Sequence, residues 1–146
     1  MPRYSYRESP RPPGTPRMFF RVSLQRLDES QFLFNGKRYA GTIYLAGYAI
    51  ECGLKALIFS TASAAGMTEL AQSFRGSGWH QFDRLLDAYT GRGGPRPPYP
   101  VVKAFVYAND EWSVDLRYMA GERPAREAER FLGSTEIILD WIKGRL

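Results

Sequence analysis

A 23-residue stretch, residues 37–59, constrains what this chain can fold into more than any other feature. It reads KRYAGTIYLAGYAIECGLKALIF and contains four charged residues and no proline. At about 3.6 residues per turn, its apolar residues occupy nearly the whole circumference of a helix. Because a helix that is apolar on almost every side must be covered by its neighbours, we predict that this stretch is the central helix of a bundle.

Three stripes run along this predicted helix. One is bulky and apolar, and a second consists of small residues against which another backbone can pack closely: Ala46, Ala49, Gly53 and Ala56. The third is polar and places two hydroxyls and two opposite charges on one face: Tyr44, Tyr48, Glu51 and Lys55. Since charges inside a bundle need partners, the polar stripe is a candidate functional site.

The central stretch could also be a membrane span, because its apolar length is close to the roughly 20 residues that a span requires. Glu51 and Lys55 lie well inside it, and each charge near the centre of a span opposes insertion by about 2.5 to 3.5 kcal/mol. No second stretch of similar character could shelter these charges. We therefore predict no membrane association, and the lack of an apolar N-terminal segment makes the cytoplasm the expected location.

The remaining composition predicts one domain without disulfides, metal or cofactor. A chain of 146 residues has the size of one domain, and a single cysteine, Cys52, excludes an intrachain disulfide and a cysteine-based zinc site. The net charge of +5 is concentrated in residues 1–17, which hold four arginines, one glutamate and five of the ten prolines. We predict a disordered, solvated tail there rather than a nucleic-acid site, followed by a single domain at 18–146.

Apolar periodicity and helix-breaking residues divide the chain before and after the central helix. We predict a first helix at 18–35, closed by Gly36 and antiparallel to the central helix because the connection is so short. Thr68 is the predicted cap of a short third helix. A fourth helix is predicted at 79–90, with Gly91 as its C-terminal stop.

The second half of the chain begins with a loop. Residues 91–100 contain three glycines and four prolines, which exclude regular structure. Residues 101–107 are predicted to be helical, and three apolar residues continue at helical spacing: Trp112, Leu116 and Met119. The last helix is predicted at 124–143. The predicted fold is an all-α, up-and-down bundle of four main helices with short additional ones.

These elements resemble the HEPN domain, a helical-bundle family of nucleotide- and RNA-linked proteins. The resemblance covers roughly residues 20–145. It is carried by YLAGYAIECGLKALI, by an isolated histidine that opens the helix HQFDRLL, by Trp112 followed by Arg117-Tyr118, and by the long last helix. It implies an up-and-down bundle that forms a homodimer and binds RNA or a nucleotide. It also implies a nucleotidyltransferase antitoxin as partner, in a toxin–antitoxin or defence pair.

The resemblance further implies a metal-independent endoribonuclease when an Arg-x(4–6)-His motif is present. Imidazole suits proton transfer near neutral pH, and arginine matches phosphate oxygens. His80 is the single histidine, and Arg75 precedes it at the required distance, but glycines separate the two. At the position that matches the family motif, Arg117 is followed by Glu122 instead of histidine. The candidate catalytic residues are therefore His80, Arg75 and Arg117, in a motif that is degenerate.

Two alternatives stand beside catalysis. The polar stripe forms either a ligand pocket or an ion-pair network within the bundle. The pocket would be lined by Tyr44, Tyr48, Glu51, Lys55, Arg117 and Tyr118. The network would pair Glu51 with Arg117, and Lys55 with a carboxylate or carbonyl of a late helix. His80 has the alternative role of a helix-start residue bonded to a neighbouring carbonyl or carboxylate. The alternative for the whole chain is a non-catalytic helical adaptor that binds a partner protein.

Overall fold

The computed structural model describes residues 14–74 and 77–146, and these residues form helices and connections without a strand. Within these ranges, six α-helices follow one another: α1 (Pro16–Asn35), α2 (Tyr39–Ser60), α3 (Met67–Ser73), α4 (Phe82–Gly91), α5 (Tyr99–Glu111) and α6 (Ala125–Lys143). Two 3₁₀ helices lie at Ser77–His80 and Val114–Tyr118. The prediction of an all-α bundle is confirmed. The predicted tail lies largely outside the described residues, but Pro16 and Arg17 already belong to α1.

The centre of the bundle is α2, as its sequence predicts. Thirteen of its 22 residues are buried, and it packs against α1, α4, α6 and the second 3₁₀ helix. It is long and apolar enough to cross a membrane, and 78% of its most apolar window is buried inside the protein. Burial of this extent is typical of the core helix of a bundle.

The small-residue stripe of α2 lies where α1 and α6 approach most closely. The Ser23 hydroxyl of α1 donates to the Ala49 carbonyl at 2.6 Å, and both residues are fully buried. A Cβ added to Gly53 would lie 2.9 Å from the side chains of Leu139 and Ile142. The stripe therefore permits the close packing of helices that the sequence predicts.

Trp112 connects α5 to the central helix. It follows the last residue of α5 in an extended conformation (φ −124°, ψ 137°), so its indole turns back onto α2. The ring lies where a side chain at residue 47 would be, and its Nε1 donates to the Tyr44 carbonyl at 3.1 Å. The prediction that Trp112, Leu116 and Met119 continue one helix is therefore wrong, because the chain leaves the helix at Trp112 and resumes as a 3₁₀ helix.

Smaller differences from the predicted boundaries have local causes. The helix α3 begins at Met67 after Gly66, so Thr68 lies inside the helix and does not cap it. The helix α4 includes Gly91, so Gly91 is not its C-terminal stop. The glycine with a positive φ that follows the helix is Gly93 (φ 95°). The helix α5 begins at Tyr99 and includes Pro100 in its first turn. Proline is tolerated there because the N–H that it lacks would have no hydrogen-bond partner within the helix.

Candidate functional site

The site is built around Glu51, a carboxylate on the polar stripe of α2 that is 5% exposed. Its Oε2 accepts a hydrogen bond from Lys55 Nζ at 3.2 Å, one helical turn further along. Its Oε1 lies 2.5 Å from His80 Nδ1. A buried carboxylate is strongly disfavoured without partners, so these two contacts are what allow Glu51 to remain inside the bundle.

His80 reaches Glu51 because of how the chain enters α4. His80 is the last residue of the first 3₁₀ helix, and Gln81 then adopts an extended conformation at the start of α4. Phe82 and Leu85 are buried in the same core as α2, which holds this segment against Glu51. His80 bonds a carboxylate, as one sequence-based alternative predicts, but it does not start a helix, because α4 begins two residues later at Phe82.

The contact with Glu51 fixes the orientation of the imidazole. Nδ1 faces the buried carboxylate, so Nε2 lies on the opposite side of a ring that is 38% exposed. When the ring is neutral, an Nδ1–H that donates to Glu51 leaves a lone pair on Nε2. The result is a carboxylate–imidazole dyad whose Nε2 has no hydrogen-bond partner among the residues that the structure describes.

A pocket of about 420 Å³ lies beside this dyad, and we call it the His80 pocket. It is formed between the start of α4 and the segment that joins α5 to the second 3₁₀ helix. Its lining consists of His80, Gln81, Phe82 and Asp83 on one side and of Asn109, Trp112, Ser113, Val114 and Asp115 on the other. The pocket therefore combines a titratable ring, one wall of aromatic rings and several hydrogen-bonding side chains.

The two tyrosines of the polar stripe pair with each other. The hydroxyls of Tyr44 and Tyr48 lie 3.3 Å apart, and the Tyr48 ring meets the Trp112 ring edge to face at 5.2 Å. Burial raises the pKa of Tyr48 above its ordinary value, and its hydrogen bond with the Tyr44 hydroxyl raises it further, so the Tyr48 hydroxyl stays neutral. Both tyrosines contact Trp112, Tyr44 through its backbone carbonyl and Tyr48 through its ring.

Arg117 and Tyr118 do not join the buried cluster as predicted. Both are exposed, and the Arg117 guanidinium lies over the Tyr118 ring at 4.7 Å. The predicted ion pair between Glu51 and Arg117 is wrong, because Glu51 is already held by Lys55 and His80. The predicted pairing of Lys55 with a late helix is also wrong, because Lys55 bonds Glu51 on its own helix.

The structure thus brings together three of the predicted site residues, Glu51, Lys55 and His80. Arg75, the predicted catalytic arginine, lies outside the described residues. Cys52 neighbours this cluster, and burial raises the pKa of its thiol to about 11. A thiol with that pKa is protonated at neutral pH, so Cys52 is a poor nucleophile.

Glu122, the residue that replaces histidine in the degenerate motif, has a structural role that no local sequence pattern reveals. Its Oε1 accepts the Ala40 N–H at 2.5 Å, in the first turn of α2. Hydrogen bonds from the backbone N–H groups of Ala40 and Arg123 lower the pKa of the Glu122 carboxyl. A negative charge at this end of α2 also complements the helix dipole. Glu122 therefore caps the central helix.

Replacing Glu122 with glutamine is expected to lower the free energy of unfolding at neutral pH, because the cap loses its charge. The folded-state pKa is below the ordinary value of 4.5, so the contribution is present above that pH and is lost as the pH falls through the folded-state pKa. Urea unfolding at a series of pH values should give the largest difference between variant and wild type at neutral pH, and this difference should shrink as the pH falls below 4.5. Glu129→Gln, a change at an exposed residue of α6, is the control. A difference that does not shrink as the pH falls would contradict the cap.

The chain matches no protein-family model, no curated protein and no solved structure. Its chemistry is therefore inferred from the geometry of the site. A buried carboxylate that holds an imidazole positions that ring for proton transfer or for hydrogen bonding at a defined place. The His80 pocket supplies the space in which a reacting group would lie.

Proposed function

We propose that this protein is a HEPN-like, RNA- or nucleotide-associated protein in which His80 transfers protons during metal-independent cleavage of RNA. One observation carries the proposal: His80 Nδ1 is held at 2.5 Å by a buried carboxylate while the ring borders an open pocket. The resemblance of α2 to the HEPN family supplies RNA as the substrate class.

The proposed reaction uses the dyad as follows. Nε2 of His80 accepts the proton of a ribose 2′-hydroxyl, and Glu51 stabilises the imidazolium that forms. The 2′-oxygen bonds to the adjacent phosphorus and the bond from phosphorus to the 5′-oxygen breaks. That oxygen takes a proton from solvent, and His80 later returns its own proton to solvent. The products are a 2′,3′-cyclic phosphate and a 5′-hydroxyl.

Cations and aromatic rings on both sides of His80 suit an RNA strand. The Arg84 guanidinium lies 4.9 Å from the centre of the ring of Trp79, the residue that precedes His80. Arg117 and the exposed Tyr118 follow Asp115, which lines the His80 pocket from the other side. Arginine binds phosphate oxygens, and exposed aromatic rings stack on bases.

Incubation of the chain with single-stranded RNA in EDTA tests the proposal. Cleavage is expected, and His80→Ala is expected to lower its rate by about 10²-fold or more, because the proton acceptor is lost. Asp87→Asn, an exposed change on α4, is the control and should cleave as the wild type does. Circular dichroism checks that both variants fold. The absence of cleavage, or cleavage that His80→Ala leaves intact, would contradict the ribonuclease.

The second candidate function is a non-catalytic adaptor for a partner protein. Exposed apolar side chains favour it: Phe32 on α1 is 77% exposed and Val106 on α5 is 57% exposed.

Within the HEPN-like proposal, such surfaces belong to a homodimer and to a nucleotidyltransferase antitoxin. Light scattering at several protein concentrations separates a dimer from a monomer. Inhibition of RNA cleavage by a nucleotidyltransferase that binds the chain would support the toxin–antitoxin pair, whereas partner binding without any cleavage by the chain supports the adaptor.

A further inference from the structure

A second pocket, of about 400 Å³, lies between α5 and α6. We call it the α5–α6 groove, and its polar and aromatic lining consists of Tyr99, Lys103, Tyr107, Arg130 and Ser134. It shares no lining residue with the His80 pocket. Its volume falls in the range of roughly 300 to 1,000 Å³ that is typical of small-molecule sites.

Two cations in the groove are each placed over a tyrosine ring. The Arg130 guanidinium lies 4.0 Å from the centre of the Tyr107 ring, and Lys103 Nζ lies 5.7 Å from the centre of the Tyr99 ring. A cation held over a ring keeps its N–H groups available for an additional partner at its edge. The groove is therefore prepared to bind an anion.

Two carboxylates near the groove bond an arginine outside it. Arg123 bonds Glu127 through Nε at 2.7 Å and Glu111 through Nη2 at 3.3 Å. Within residues 14–74 and 77–146, neither Lys103 nor Arg130 forms an ion pair with a carboxylate. Both cations can therefore accept an anion without breaking an ion pair of the described residues.

Tyr99 provides the other half of a recognition site. It is 73% exposed, although an aromatic ring of this size gains free energy when it is covered. A ligand that joins a planar ring to an anion would contact all three residues, because the ring can stack on Tyr99 while the anion meets the two cations. The two features together favour a planar, negatively charged ligand.

We propose that the α5–α6 groove binds an aromatic base that carries a phosphate, either as a free nucleotide or as one residue of an RNA strand. The phosphate contacts Lys103 and Arg130, and the base stacks on Tyr99. The proposal rests on the function proposed above for the choice of ligand, and it assigns that ligand a second binding place, apart from His80.

Binding measured without cleavage tests the groove. One arm titrates the chain with adenosine monophosphate by calorimetry. The other titrates a fluorescently labelled, single-stranded RNA whose 2′-hydroxyls are methylated, so that it cannot be cleaved. Tyr99→Ala is expected to weaken binding about fivefold or more in the arm that reports the true ligand. Lys103→Gln with Arg130→Gln is expected to lower the slope of log affinity against log salt for RNA by about 0.7, because one phosphate contact is lost.

Arg126→Gln and Lys143→Gln, exposed changes on α6 outside the groove, are the matched controls for lost charge. Binding in the first arm identifies a free nucleotide, and binding in the second arm alone identifies a strand. The proposed ligand site would be overturned by unchanged affinity in the groove variants or by no binding in either arm. Tighter binding of an acidic peptide, titrated as a competitor, would also overturn it. If the chain cleaves no RNA but the groove variants lose binding, the ligand site in the groove is supported and the proposed ribonuclease activity is contradicted.

Discussion

Replacing Gly47 with alanine is expected to destabilise the protein by about 3 kcal/mol. The new Cβ would lie 1.9 Å from Trp112 Nε1, which is far inside van der Waals contact. The indole cannot move aside freely, because it is buried, stacks on Phe82 at 5.0 Å and donates to the Tyr44 carbonyl. The variant loses these interactions together. Urea unfolding followed by circular dichroism measures the change.

Gly133→Ala is the matched control, since Gly133 is also inside a helix and a Cβ there would meet no atom within 4 Å. This change is expected to stabilise the protein by about 0.5 to 1 kcal/mol, because alanine favours helix over the unfolded chain. In a Trp112→Leu background, the effect of Gly47→Ala should shrink markedly, because the overlapping ring is gone. Equal stabilities of Gly47→Ala and the wild type would contradict the packing of Trp112 on α2.

The long helices could be predicted from the sequence because length and apolar periodicity act over many residues. The predicted helices at 18–35 and 124–143 correspond to Pro16–Asn35 and Ala125–Lys143, within two residues at each end. The segment after α5 could not be predicted this way. Trp112 and Leu116 have helical spacing because both pack against the core, and an extended residue followed by a 3₁₀ helix produces the same spacing.

The site was only partly predictable for a different reason. Glu51 and His80 are recognisable singly, as a charge in an apolar helix and as the one histidine of the chain. Their pairing spans 29 residues and depends on how α4 packs against α2. Sequence patterns do not reveal which of several basic residues reaches a buried carboxylate, and the neighbour at i+4, Lys55, takes the place predicted for Arg117.

Replacing Glu51 with alanine is the second change with a large expected effect, a loss of about 3 to 5 kcal/mol in the free energy of unfolding. The Lys55 side chain is only 12% exposed, so its ammonium group would remain inside the bundle without a counter-charge. His80 would lose the contact that orients its ring. Arg117→Ala is the control and should change stability by less than about 0.5 kcal/mol, because Arg117 is exposed. Urea unfolding of both variants provides the comparison.

A double change separates the structural role of Glu51 from its role in positioning His80. Glu51→Leu with Lys55→Met replaces the ion pair by apolar side chains of similar volume, which is expected to bring stability back to within about 1 kcal/mol of the wild type. If Glu51 positions His80, this stable variant should still cleave RNA about 10²-fold more slowly than the wild type, because the imidazole is no longer held. Wild-type cleavage by the stable double variant would show that Glu51 serves the fold alone. A double variant as unstable as Glu51→Ala would contradict the unpaired Lys55 as the cause of the instability.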